Sequence, residues 1–139
     1  MFKNILVPTD LSAKGIKALD IAFDMANEEG SVITLLHVIE KIEDSEGDEF
    51  KAFYDKLASK ARLKMQKMII QHAAKGLKID TEIIFGNRVG EIVNFAQKHE
   101  IDLIILGSHK LTKVDAVEGW ATISYKVGIL APCPVMLVK

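Results

Sequence analysis

Two hydrophobic patterns alternate along this chain. Short continuous apolar runs are followed by longer segments in which apolar residues recur every three or four positions. The first pattern is that of buried strands, and the second that of helices packed on one face. Ile5-Leu6-Val7 reads as a first strand, ended by Pro8-Thr9-Asp10. Ser12 offers a helix cap, and Ile16, Leu19, Phe23 and Ala26 mark the buried face of a helix that Gly30 stops. Residues 32–38 form a second strand, apolar on both faces apart from Thr34 and His37. A second helix carries Phe50, Phe53, Leu57, Ala61, Met65 and Met68 on its buried side and ends at Gly76. Residues 79–85 alternate, with Ile79, Thr81, Ile83 and Phe85 set against Asp80, Glu82 and Ile84, as in a strand exposed on one face at a sheet edge. Gly86-Asn87 turns the chain into a third helix with Val89, Ile92, Val93 and Ala96 inward. Residues 103–106 make a fourth strand, and a last helix runs from about Glu118 to Ile129. Pro132 and Pro134 then bracket the entry to a fifth strand, Val135-Met136-Leu137-Val138.

Strict alternation of strands and helices predicts an open α/β fold, a five-stranded parallel sheet with helices on both faces. A length of 139 residues suits one domain over 1–139. Eighteen basic against nineteen acidic side chains give a net charge of −1, which removes any global attraction to nucleic acid or an anionic membrane. One local stretch is basic: Lys60, Arg62, Lys64, Lys67, Lys75 and Lys78, with no acid between them, read as a solvated helix face. Residues 40–49 are acidic and polar and read as a mobile surface loop. Cys133 is the only cysteine, so no intrachain disulfide forms, and its place at the start of an apolar strand predicts burial. No apolar run approaches the roughly 20 residues that span a bilayer, and no signal segment precedes the first strand, so the cytoplasm is the expected location.

Ligands of doubly wound sheets sit beyond the carboxyl ends of the strands, where strand order reverses. If the first and fourth strands are neighbours there, Pro8-Thr9-Asp10 meets Leu106-Gly107-Ser108-His109-Lys110. Glycine lets backbone approach a ligand, and free N–H groups at the start of the final helix favour phosphate. Thr122 and Ser124 would add hydroxyls there, and Lys110 a cation. Asp10 has two readings, a ligand contact or a helix cap shared with Ser12. His37 reads as a satisfied core histidine, and His72 and His99 as exposed residues. His109 stands between phosphate contact and solvent. The four histidines have no metal-ligand spacing, and no nucleophile with a base stands out.

Five segments together resemble the universal stress protein family. They are residues 5–12 (ILVPTDLS), 35–38 (LLHV), 86–92 (GNRVGEI), 102–109 (DLIILGSH) and 131–138 (APCPVMLV). The resemblance covers the chain from end to end, in order. It implies the strand order 3-2-1-4-5 of the adenine-nucleotide α-hydrolase-like fold, and homodimers paired through the last strands, here Val135–Val138. It also implies a regulatory or protective role in stress, and in many members ATP or AMP, with Mg²⁺ for some. A second branch, resembling universal stress protein A, binds no nucleotide. By position, base and ribose carry over to Pro8, Thr9, Asp10 and Val38. The phosphate side carries over to Leu106, Gly107, His109, Lys110, Ala121, Thr122, Ile123 and Ser124.

The binding branch carries Gly-x2-Gly-x9-Gly-Ser/Thr, and this chain departs from it. Lys110 stands at the second glycine, where a side chain forbids conformations open only to glycine. If Ala121-Thr122 is the last pair, ten residues, 111–120, intervene instead of nine. If Gly119 is the third glycine, Trp120 replaces the hydroxyl residue. Three functional readings therefore stand. One is a nucleotide-binding regulatory module; another is a dimeric interaction protein that binds no nucleotide; the third is a slow ATPase using a cation near Asp10. No protein partner beyond a second copy is specified.

Overall fold

A computed structural model describes residues 2–26, 30–41, 47–71, 76–108 and 122–139. The elements, in chain order, are β1 (Asn4–Pro8), α1 (Ala13–Met25), β2 (Val32–Ile39), α2 (Asp48–Ile70), β3 (Lys78–Phe85), α3 (Arg88–Lys98), β4 (Leu103–Gly107), α4 (Ile123–Leu130) and β5 (Val135–Val138). The five strands form one parallel sheet in the order β3-β2-β1-β4-β5, as the resemblance implies. Sheet order reverses direction at β1, between β2 on one side and β4 on the other.

Period-two alternation along the inner strands divides the core. Ile5, Val7, Ile33, Leu35, Leu103 and Ile105 face α1 and α2, where Ala18, Leu19, Ala22, Phe23, Met65 and Met68 cover them. Leu6, Leu36, Val38, Ile104 and Leu106 face α3 and α4, under Ile92, Phe95, Ala96 and Val127. Both faces of β1 and β4 are thus apolar, which is why these strands read as continuous hydrophobic runs. Every buried side-chain polar atom among the described residues has a hydrogen-bond partner. Cys133 is half-buried against the second cluster. Burial, and then the negative charge of Asp102, push its thiol above the ordinary value.

Several element boundaries differ from the sequence reading. The first helix ends at Met25, capped by Ala26, rather than at Gly30. Ser12 is its N-cap residue, but its side chain accepts no capping hydrogen bond. On α2 the buried stripe is Tyr54, Ala58, Ala61, Met65 and Met68, at spacings of four and three. Phe50 and Phe53, expected inside, are 40% and 51% exposed. The first turns of α2 lie over Ile39 and Phe85 at the β2–β3 edge, and Tyr54 takes the inward place there. The basic face expected on this helix is exposed at Lys60, Arg62, Lys64 and Lys67. The last helix, expected from Glu118, begins at Ile123; residues 118–121 lie outside the described residues, as do His72, Lys75 and residues 42–46 of the acidic segment.

Candidate functional site

The loop after β1 is built by hydrogen bonds of its own. Thr9 N–H continues the ladder by donating to Leu36 O at 2.8 Å. Leu11 N–H donates to Thr9 Oγ1 at 3.0 Å, and Ser12 N–H donates to Asp10 Oδ1 at 2.9 Å. Short polar side chains that accept an amide two residues on make such tight turns. Between the capping and ligand readings of Asp10, this contact favours neither: the carboxylate holds the turn that precedes the helix. Leu11 itself has φ +69°, the left-handed region that branched side chains avoid.

On the other side of β1, the loop after β4 starts at Gly107. A Cβ there would lie 3.0 Å from the Lys14 Cβ and 3.2 Å from Lys14 O. Gly107 therefore lets the first turn of α1 pack closely on the end of β4. Gly15 is more constrained, since a Cβ at that position would collide with Thr9 Oγ1. Ser108 N–H donates to Val138 O at 2.7 Å, and Ser108 Oγ lies 3.0 Å from Ser124 Oγ, both residues buried. Thr122 is the N-cap of α4, its side chain accepting from Tyr125 N–H at 3.3 Å. Its carboxyl-side neighbours Ile123 and Ser124 form the first turn of that helix.

These loops enclose a cavity of about 420 Å³ at the carboxyl ends of β1 and β4. Small-molecule sites run from about 300 to 1,000 Å³. Pro8, Thr9, Asp10, Val38, Leu106, Gly107, Thr122, Ile123 and Ser124, all expected from the sequence, line it. His109, Lys110 and Ala121 lie outside the described residues. The cavity is also lined by Ser108, from the loop expected there, and by Lys14, Gly15, Leu36, Arg88 and Ile92, which sequence reasoning did not select. Their signal was available: in a parallel α/β sheet the first turn of every helix faces the strand ends. Lys14 and Gly15 lie in the first turn of α1, and Arg88 opens α3 directly after its cap Asn87, whose side chain accepts from Gly90 N–H at 3.0 Å.

The lining is polarised in chemistry. Leu36, Val38, Ile92 and Leu106 supply an apolar wall, while Lys14, Arg88, four hydroxyl residues and the start of α4 supply cations and donors. Asp10 is the one carboxylate among the described lining residues. Burial acts to raise its pKa, but that is outweighed. Hydrogen bonds from the Ser12 side chain and backbone and from its own N–H, with the Arg88 charge, hold it below the ordinary aspartate value. No cluster of three His, Cys, Asp or Glu residues suited to a metal occurs among the described residues.

Known proteins share this fold. The profile of the Universal stress protein family matches residues 1–139. The chain belongs to the universal stress protein family. It is 29% identical to universal stress protein YxiE of Bacillus subtilis, over all of both chains. Among solved structures it resembles the MJ0577 protein of Methanocaldococcus jannaschii, with 30% identity, a TM-score of 0.83, and coverage of 100% of this chain and 96% of that one. It also resembles the universal stress protein UspA of Lactobacillus plantarum, with 26% identity, a TM-score of 0.81, and coverage of 99% and 98%. More distant members have the same fold and were solved with nucleotides. One is in complex with cAMP (17% identical, TM-score 0.74, covering 99% and 97%). A member from Arabidopsis thaliana has AMP bound (19%, 0.72, covering 99% and 91%). Another, from Archaeoglobus fulgidus, is in complex with dAMP (15%, 0.72, covering 100% and 98%). Among the described residues no helix is long and apolar enough to cross a membrane.

Proposed function

We propose that this universal stress protein is a regulatory module that binds an adenine nucleotide, AMP or ATP, in the cavity beyond β1 and β4. The observation that carries the reading is the polarity of that cavity. An apolar wall at Val38, Leu36 and Ile92 suits a purine, and the turn at Pro8-Thr9-Asp10 suits a ribose. Lys14, the Ser108–Ser124 pair and the amino end of α4 at Thr122 and Ile123 suit phosphate, where helix-end N–H groups and cations favour negative charge. That distant relatives hold cAMP, AMP and dAMP supports the same class of ligand. In this reading His109 and Lys110 add side-chain contacts to phosphate where the family's binding branch uses glycine backbone, beside Ala121.

The same reading includes a homodimer through β5. Ile104 N–H donates to Pro134 O and Ser108 N–H to Val138 O, so even-numbered residues of β5 face β4. The amides of Val135 and Leu137 consequently point away from the sheet. An uncharged edge of this kind pairs readily with a second copy, whereas the opposite edge, β3, carries exposed Lys78, Asp80 and Glu82.

Calorimetric titration of ATP and of AMP, each with Mg²⁺, into protein stripped of carried-over ligand tests the nucleotide site. Micromolar binding that weakens in Arg88→Ala or Lys14→Ala is expected. Absence of heat from both nucleotides with folded protein overturns the reading and favours an interaction protein that works without nucleotide.

A further inference from the structure

The β1–α1 turn holds a conformation that its own residues do not favour. Leu11 sits at φ +69°, and such backbone persists only where the surroundings over-determine it. One of those surroundings comes from a residue 28 positions beyond Thr9. His37 Nδ1 lies 2.8 Å from Thr9 O. A carbonyl oxygen only accepts, so His37 Nδ1 carries the proton and donates. Alternation along β2 sets this residue apart from its neighbour. Val38 lines the cavity, while the ring of His37 reaches over the carboxyl end of β1 to the loop. Thr9 is thereby held at three points. Its N–H is bound to Leu36 O, its carbonyl to His37, and its Oγ1 to the Leu11 amide. The next residue is Asp10, at the cavity.

We propose that His37 is a positioning residue of this cavity, whose Nδ1–H clamps Thr9 O and keeps the Pro8–Ser12 turn in the shape that receives the ligand. The role in ligand binding rests on the nucleotide reading; the clamp on the turn does not.

The test uses the full chain as wild type, His37→Leu and His37→Asn. The asparagine amide nitrogen is as many bonds from the backbone as Nδ1 and retains a donor. Nitrogen NMR of the wild-type ring is expected to show a protonated Nδ1. In His37→Leu, amide hydrogen exchange at Leu11 and Ser12 is expected to rise roughly ten-fold, as for loss of one hydrogen bond, while Ile104 and Ile105 in β4 stay protected. The Kd for AMP or ATP is expected to rise by roughly ten-fold as well, and His37→Asn to restore both. Unchanged exchange at Leu11 and Ser12 in His37→Leu, or a wild-type ring protonated at Nε2 alone, overturns the clamp. Raised exchange with an unchanged Kd overturns the positioning role while leaving the nucleotide reading intact. Raised exchange restored by asparagine, with no nucleotide bound even by wild type, supports the clamp and overturns the nucleotide reading. Should His37→Leu fail to fold, His37→Gln, whose amide lies one carbon further out, supplies the misplaced donor.

Discussion

Single residues set the shape of the cavity through contacts that leave little room for change. Gly15 shows this at the packing level. A methyl group there meets Thr9 Oγ1, which is already occupied by the Leu11 amide. Gly15→Ala is therefore expected to lower stability by about 1–3 kcal/mol, the cost of overpacking a filled site, in a urea titration. It is also expected to weaken nucleotide binding, because Thr9 must move. Asp10 shows it at the level of charge. Its pKa is lowered in the folded protein, so the stability it contributes is present above its unfolded value near 3.8 and is lost as pH falls through the folded value. Asp10→Asn is expected to lower the urea midpoint at pH 7 and to leave it unchanged near pH 2. The difference is small, since the carboxylate is solvent-exposed and screened. A midpoint shift of equal size at both pH values would assign the effect to shape rather than charge.

At the scale of elements, α2 is the instructive case. It carries apolar residues around more than half of its circumference, so its sequence permits more than one inward stripe. From Ala61 onward the expected and observed faces coincide. Before it, Tyr54 and Ala58 replace Phe50 and Phe53, because that end lies over Ile39 and Phe85 rather than over the centre of the sheet. Phe53 instead packs edge-on against Tyr54, at 5.4 Å between ring centroids. Met65→Ala, at a fully buried position, is expected to cost about 2–5 kcal/mol, and Phe53→Ser, half-exposed, under about 1 kcal/mol. Chemical denaturation of the two variants side by side checks the register. Equal losses would restore the stripe read from the sequence. The short α4 depends on its cap, and Thr122→Ala is expected to cost about 1 kcal/mol and to loosen the turn that carries Ser124.

At the scale of the whole molecule, the two sheet edges differ in chemistry. The β3 edge is charged, and the β5 edge presents Val135 to Val138 with two outward amides. Wild-type protein at about 50 μM is expected to sediment as a dimer, and a monomeric mass would remove β5 as an interface. Leu137→Pro deletes one outward N–H without breaking the ladder to β4. It is expected to shift the population to monomer with the far-ultraviolet circular dichroism retained. The exposed Ile129 and Leu130 at the end of α4 lie just before this strand, and together they make this the more apolar end of the sheet.

Local pattern alone determined a good deal of this protein. The alternation of apolar runs with three- and four-spaced positions located the core of each described strand and helix, and the continuous apolar runs at residues 5–7 and 103–106 marked them as buried strands. The alternating residues 79–85 marked an edge. Sheet order came from the family resemblance, and with it the place where the two loops would meet. Other features arise only when distant segments come together. The inward face at the start of α2 depends on what lies beneath it. Lys14 and Arg88 share a cavity because α1 and α3 both begin above the same strand ends. His37 reads as a core histidine by its apolar neighbours, and its partner is a backbone carbonyl 28 residues earlier, which no periodicity encodes. Periodicity specifies which face of an element is apolar; the packing of β2 against β1 decided which atom that histidine meets.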